Sequence, residues 1–322
     1  MAHVQNVKQE KMMHKKLLNV LTVIVLLFTL VSCKQNTQSD KIKIVTTIFP
    51  AYSFTKEIVG DLCDVEVVLK PGQDSHNYDP SVSTVISIRN ADMFIYTCDE
   101  METWATKLIS TLNKNTVVMA GKGIELEVVH EEEHDHDHPK GEHVHEHNFD
   151  PHIWTSIRNS IIMVKNIMGA VCGLDPDNSD IYIANGNAYI KKLEAMDQKF
   201  IDLFEEHDHM ELFFVSPFTL YYFVRDYDLH YHSLYKTCST EVEVSAADLI
   251  SFIDLLEEEQ AKFIYTKEFM SDTVANKIID QTGVNLRILH SGHNVTYADY
   301  NNNITYLDIL EQNYEILKEG VN

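Results

Sequence analysis

Short apolar runs and amphipathic segments alternate twice along this chain, and one long helical stretch separates the two series. In the first series, 42–47 reads as a buried strand, 50–59 as a helix closed by Gly60, and 65–69 as a second strand. A helix capped by Ser81 or Ser83 follows, then strand 92–96, helix 100–112 and strand 116–119. The second series reads as strand 211–215, a helix up to Tyr227, a short strand at 231–235 and helix 245–258. It closes with strand 262–266, helix 271–282, strand 285–289 and a terminal helix at 305–318. Helices at 156–171 and 178–206 join the two series. The second carries Leu193, Met196, Phe200, Leu203 and Phe204 as an apolar stripe at helical spacing. At about 1.5 Å per residue it spans roughly 40 Å, longer than one small domain needs. Strands alternating with helices predict an α/β fold, each series a parallel sheet with helices on both faces.

Between the two series lies a tract unlike the rest. His130, His134, His136, His138, His143, His145 and His147 alternate with acidic residues, and residues 125–150 hold ten acids against Lys140 alone. Short His-rich tracts read as metal binding, since neutral imidazole is the commonest protein ligand for zinc and its neighbours. A solvated acidic loop is the plainer reading, but it does not explain the histidine density. With no apolar period, 125–149 is expected to be an exposed, mobile loop. The tract ends in Asp150-Pro151-His152-Ile153-Trp154, where Phe149, Ile153 and Trp154 place His152 within a fold.

The formal charge of −23 over 322 residues argues against nucleic acid and anionic lipid as partners and favours cations. At the N-terminus Lys15-Lys16 precede an apolar run from 17 to 31, too short for a comfortable membrane span and read as a secretory signal. The run ends Leu30-Val31-Ser32-Cys33, which resembles a bacterial lipobox and implies cleavage before Cys33 and lipidation of its thiol. Residues 1–33 are thus expected to be the signal, 34–40 a polar tether, and the mature protein to sit outside the cytoplasmic membrane, periplasmic or cell-surface, held by lipid alone. Cys63, Cys98, Cys172 and Cys238 permit disulfides, but their long spacings and the lack of a CxxC pair argue against a cysteine zinc site.

His76, in the turn-rich loop 70–80, and His290 each follow a predicted strand, where open parallel sheets place ligands. The alternatives are a surface-turn histidine for His76 and a backbone-satisfied cap for His290. Together with His152, three imidazoles from separate loops make a zinc-type donor set.

From about Lys41 onward the chain carries Val45-Thr46-Thr47-Ile48-Phe49-Pro50, Gly72-x-Asp74-Ser75-His76-x-Tyr78-x-Pro80, Asn90-Ala91-Asp92, Asp150-Pro151-His152-Ile153-Trp154 and Thr305-Tyr306-Leu307. With these motifs it resembles the zinc- and manganese-binding lipoproteins that serve ABC transporters, of the high-affinity zinc-uptake type. The resemblance implies two Rossmann-like lobes with parallel sheets, bridged by one long rigid helix, with a metal ion in the cleft between them. The expected organisation is a first lobe at 41–177, a linking helix at 178–206 and a second lobe at 207–322. The expected partners are an ABC permease and its ATPase, with the protein itself a monomer.

Carried over by residue, His76 and His152 fall on the first lobe's metal histidines, and the family's fourth position falls on His290. The third falls near Ser216-Pro217, where neither residue is a good ligand. Either water completes a three-histidine site or a side chain from elsewhere does; Glu241, Glu243 and His293 are candidates, with Glu243 also suited to the first turn of the helix at 245. Three imidazoles suit zinc better than manganese, while nickel and copper stay open. The rival function is a secreted zinc hydrolase, since three histidines with an open position also describe catalytic zinc. The absence of HExxH spacing and the histidine-rich tract favour collection over turnover.

Overall fold

The computed structural model describes residues 41–73, 78–113, 116–128, 149–207, 210–235, 244–271 and 273–321. The expected signal with Cys33, the expected tether, His76, the histidines of 130–147, Cys238, Glu241 and Glu243 lie outside the described residues.

Two four-stranded sheets carry the fold. In the first, β1 (Ile42–Thr46) pairs in parallel with β2 (Cys63–Val67) and β3 (Met93–Tyr96), and β3 pairs with β4 (Val117–Met119). In the second, β5 (Glu211–Phe214) pairs in parallel with β6 (His230–Ser233) and β7 (Phe263–Thr266), and β7 pairs with β8 (Asn285–Ile288). The strand orders β2-β1-β3-β4 and β6-β5-β7-β8 are the same topology used twice. Each order reverses between its first and third strand, and open α/β sheets leave a ligand crevice beyond the carboxyl ends at such a point.

The helices are α1 (Phe49–Val59), α2 (Val82–Arg89), α3 (Ala105–Ile109), α4 (Ile157–Leu174), α5 (Ser179–Glu205), α6 (Tyr221–Asp226), α7 (Ala246–Glu258), α8 (Thr273–Thr282), α9 (Tyr297–Asn301) and α10 (Tyr306–Val321). Ser81 proves to be the cap of α2, its Oγ accepting the Thr84 amide at 3.2 Å. The linking helix α5 runs 27 residues, with Asn178 and Glu206 as its caps. Its buried stripe includes Leu193, Met196, Phe200 and Phe204. At Gly186 a Cβ would lie 2.5 Å from the Met168 sulfur, so the glycine lets α5 approach α4 closely.

Side chains alternate across each strand, and in the inner strands β3 and β7 both faces are apolar, as a doubly covered parallel sheet requires. Ile44, Met93 and Ile95 face a continuous core that passes through Trp154, Leu193 and Phe200 to Phe214 and Tyr265 of the second sheet. The outer faces have their own clusters, around Val45, Phe94 and Tyr96 in the first lobe and Phe213, Val215 and Ile264 in the second.

Several elements differ from the sequence expectation, among them α9, which is absent from the expected series, and α4, which runs to Leu174 rather than 171. The second strand begins at Cys63 rather than 65, because pairing with Ile42 sets its start; Val68 and Leu69 still donate to Thr46 and Thr47. The helix expected over 100–112 is only Ala105–Ile109, since Glu102 is drawn into the interior and the preceding residues form turns. The strand expected at 231–235 is His230–Ser233, in register with Glu211–Phe214. Cys63, Cys98 and Cys172 are free thiols. No helix among the described residues is long and apolar enough to cross a membrane.

Candidate metal centre

His152 is fully buried at the entrance to a single 3-10 turn, Ile153–Thr155, that leads into α4. The Asp150 carboxylate, two residues earlier, accepts both the His152 amide at 2.7 Å and the ring Nδ1 at 2.9 Å. A carboxylate only accepts, so Nδ1 carries the proton and Nε2 is the lone-pair nitrogen of the ring. Asp150 is itself held from the second lobe, where the Tyr222 hydroxyl of α6 donates to its backbone carbonyl at 2.7 Å. Burial pushes the Tyr222 phenol well above its ordinary range, which keeps it a neutral donor. Nearby, Arg225 pairs with Glu127 at 2.7 Å, and Ser156 donates to Asp226. The segment that carries His152 is thereby stitched to α6.

The 290–295 loop reaches toward His152 from the second lobe. Gly292 turns it with φ +73°, and a Cβ there would come within 3.2 Å of the Tyr306 ring. Glu268, just past β7, accepts the Ser291 amide at 2.8 Å and the Ser291 hydroxyl at 2.5 Å. Trp154 donates its indole N–H to the Ser291 carbonyl at 2.9 Å across the interlobe boundary. The outcome is that His293 meets the first lobe. Its ring centroid is 6.1 Å from that of His152, nearly perpendicular at 88°.

His290 faces elsewhere. Its Nδ1 accepts the Gly292 amide at 2.9 Å and lies 3.7 Å from Glu268. With Nδ1 accepting, a neutral ring has its proton on Nε2 and no free lone pair there. Its backbone amide and carbonyl are both taken by the Asn313 carboxamide, each at 2.8 Å, and it lines a cavity together with Leu220, Phe223, Leu310 and Leu317. At the position expected for a third ligand, Ser216 is buried, its Oγ accepting the Lys267 amide at 3.1 Å, and Pro217 has no side-chain ligand atom. Among the described residues no three His, Cys, Asp or Glu side chains gather around one point.

Comparison with known proteins places this geometry. The sequence profile of the family "ZnuA: Zinc-uptake complex component A periplasmic" matches residues 44–320. The chain belongs to this family. Among members of the zinc-uptake family, the zinc-binding lipoprotein AdcA of Streptococcus pneumoniae is 34% identical over 308 residues, covering 95% of this chain and 61% of its own length. The chain thus spans about three fifths of that relative. The high-affinity zinc uptake system protein ZnuA of Bacillus subtilis is 32% identical over 289 residues, 89% of each chain. The crystal structure of the Zn(II)-bound ZnuA-like domain of the Streptococcus pneumoniae AdcA superposes with a TM-score of 0.72 at 28% identity, covering 87% of this chain and 99% of that one. Two parallel-sheet lobes joined by a long helix are therefore this family's architecture, as the sequence motifs imply.

Within the zinc-uptake family frame, sequence alone assigns no role to Asp150, Glu268 or Asn294. For Asp150 a signal is present: a carboxylate two residues before a buried histidine is spaced to bond its ring. For Glu268 and Asn294 no local signal exists, because their partners lie 23 and more than 200 residues away.

Proposed function

We propose that this chain is the metal-capturing component of an ABC importer, holding one zinc ion between its lobes and presenting it to a permease driven by an ATPase. The observation that carries the reading is the face-to-edge pairing of His152 and His293 across the interlobe boundary, with the Asp150 carboxylate orienting the His152 ring through Nδ1. Zinc–nitrogen bonds are about 2.0–2.1 Å, so one ion between the two rings can bind both. His76 of the Gly72-x-Asp74-Ser75-His76 motif is the third proposed ligand. Water takes the fourth position, since Ser216-Pro217 supplies nothing there. His293 is preferred to His290 because the His290 Nδ1 is engaged with its own loop. An all-imidazole set suits zinc over manganese, which prefers harder oxygen donors. The family match, to a zinc-uptake component, supports transport over hydrolysis.

The acidic histidine tract serves as a collector feeding the cleft, and lipidation of Cys33 tethers the protein outside the cytoplasmic membrane. Competitive zinc titration against a chromophoric chelator tests the site, comparing the intact chain with His76→Ala, His152→Ala and His293→Ala. Each change is expected to remove the tight site. A tight site that survives His152→Ala overturns the reading. Glu241→Gln in the same series tests the carboxylate alternative; a loss equal to that of His76→Ala would put Glu241 in place of the water. Labelled fatty acid incorporated by the wild type and absent from Cys33→Ser tests the anchor.

A further inference from the structure

One buried carboxamide joins the two lobes beside His293. Asn294, only 3% exposed, donates from Nδ2 to the carbonyls of Lys70 at 2.9 Å and Gln73 at 2.8 Å. Its Oδ1 accepts the Val295 amide at 2.8 Å, and the Gly72 amide donates back across the boundary to the Val295 carbonyl at 3.0 Å. The receiving segment is itself a built turn. Pro71 stands at its second position, Gly72 at its third with φ +76°, and the Gln73 amide closes it onto the Lys70 carbonyl at 3.1 Å. The Gln73 side chain folds back to accept the Lys70 amide at 3.0 Å.

The chemistry of Asn294 is specific to this task. Two carbonyls converge on a buried point and need two donors without charge. A carboxamide NH2 provides both; a serine hydroxyl provides one, and an aspartate none. The loop is also pinned on the other side of His293, where the Ser291 carbonyl accepts the Trp154 indole. His293 therefore sits between two interlobe hydrogen-bonded anchors, one at Ser291 and one at Asn294.

We propose that Asn294 is a positioning residue of the metal site: by pinning the 290–295 loop to the 70–73 turn, it holds His293 against His152 before an ion arrives. A ligand already held by folding does not have to be ordered at the moment of binding. The inference rests on the zinc-site reading above.

The test uses the full chain and zinc alone as the probe, with Asn294→Asp, Asn294→Ala and the milder Asn294→Ser. Zinc affinity, zinc dissociation rate, the melting midpoint of the metal-free form and the visible spectrum of the Co(II)-loaded form are read for each. Asn294→Asp and Asn294→Ala are expected to weaken zinc roughly 10- to 100-fold, the cost typical of losing a group that orients a ligand. The loss falls mainly on the dissociation rate. The Co(II) bands shift, and Asn294→Ser, with one donor left, falls between wild type and alanine. Affinity within about twofold of wild type with an unchanged Co(II) spectrum overturns the role, as does an affinity loss that merely follows unfolding of the metal-free form in all three variants. His152→Ala separates this from the underlying reading. If it spares tight zinc, the site itself fails; if it abolishes tight zinc while every Asn294 variant binds normally, only the positioning role fails.

Discussion

The His293 imidazole lies against the Trp154 indole, with 5.3 Å between ring centroids and 29° between planes. Trp154 is fully buried and comes from the first lobe, while His293 comes from the second. A rigid aromatic surface thus sets where a second-lobe imidazole can stand, and the same indole touches His152 edge-on at 5.4 Å.

From this contact, His293→Ala is expected to weaken zinc far more than His290→Ala. Loss of a donor atom should exceed the roughly 10- to 100-fold typical of an outer partner. His290→Ala instead removes an acceptor for the Gly292 amide and should cost mainly stability. Calorimetry on both variants compares them, and equal losses would mean that both imidazoles bind.

Asp150→Ala should lower zinc affinity by roughly 10- to 100-fold while leaving every proposed ligand in place. Without the carboxylate, the His152 ring loses the Nδ1 bond that orients it. Chelator competition reads the change; an unaltered affinity would mean that packing alone orients the ring.

Glu102 makes stability depend on pH. It is buried at the first sheet's switch point, accepting from the Thr47 hydroxyl at 2.5 Å and from the Thr97 and Cys98 amides at 3.1 Å. Burial raises its pKa from 4.5 to about 7. Between those values the folded protein keeps a proton that the unfolded chain has released, so this contribution is full below pH 4.5 and is lost as pH rises through about 7. Urea midpoints at about pH 5 and about pH 8 should therefore drop more for wild type than for Glu102→Gln. Parallel drops would show that the carboxyl is not titrating in that window.

Phe200 lies at the middle of the shared core, stacked on Phe204 at 6.0 Å and edge-on to Phe223 at 5.1 Å and Tyr314 at 5.6 Å. Phe200→Ala should cost about 3–5 kcal/mol in urea unfolding, with one cooperative transition for both lobes. Two separate transitions would mean that the linking helix does not unite their cores.

Much of the architecture was legible from periodicity. Both α/β series, the buried stripe from Leu193 to Phe204 and a cap at Ser81 or Ser83 are local patterns, written in residues close together in the chain. The short helix at Ala105–Ile109 was not legible, because Glu102 belongs by its polarity to a surface helix and is drawn inside only by donors from Thr47, Thr97 and Cys98. Likewise the strand starting at Cys63 takes its limit from Ile42, its partner across the sheet.

The sequence by itself determined the family, the two-lobed plan and the fixed histidine in Asp150-Pro151-His152, since each rests on motif or spacing. Only the tertiary structure decided which histidine of His290-Ser291-Gly292-His293 turns toward His152. Both follow the same strand, and neither spacing nor residue type separates them. The direction of a loop side chain is set by what the fold packs against it. Here that is Glu268 holding Ser291, Asn313 holding His290 back, and Trp154, 137 residues earlier in the chain than Ser291, receiving the His293 ring.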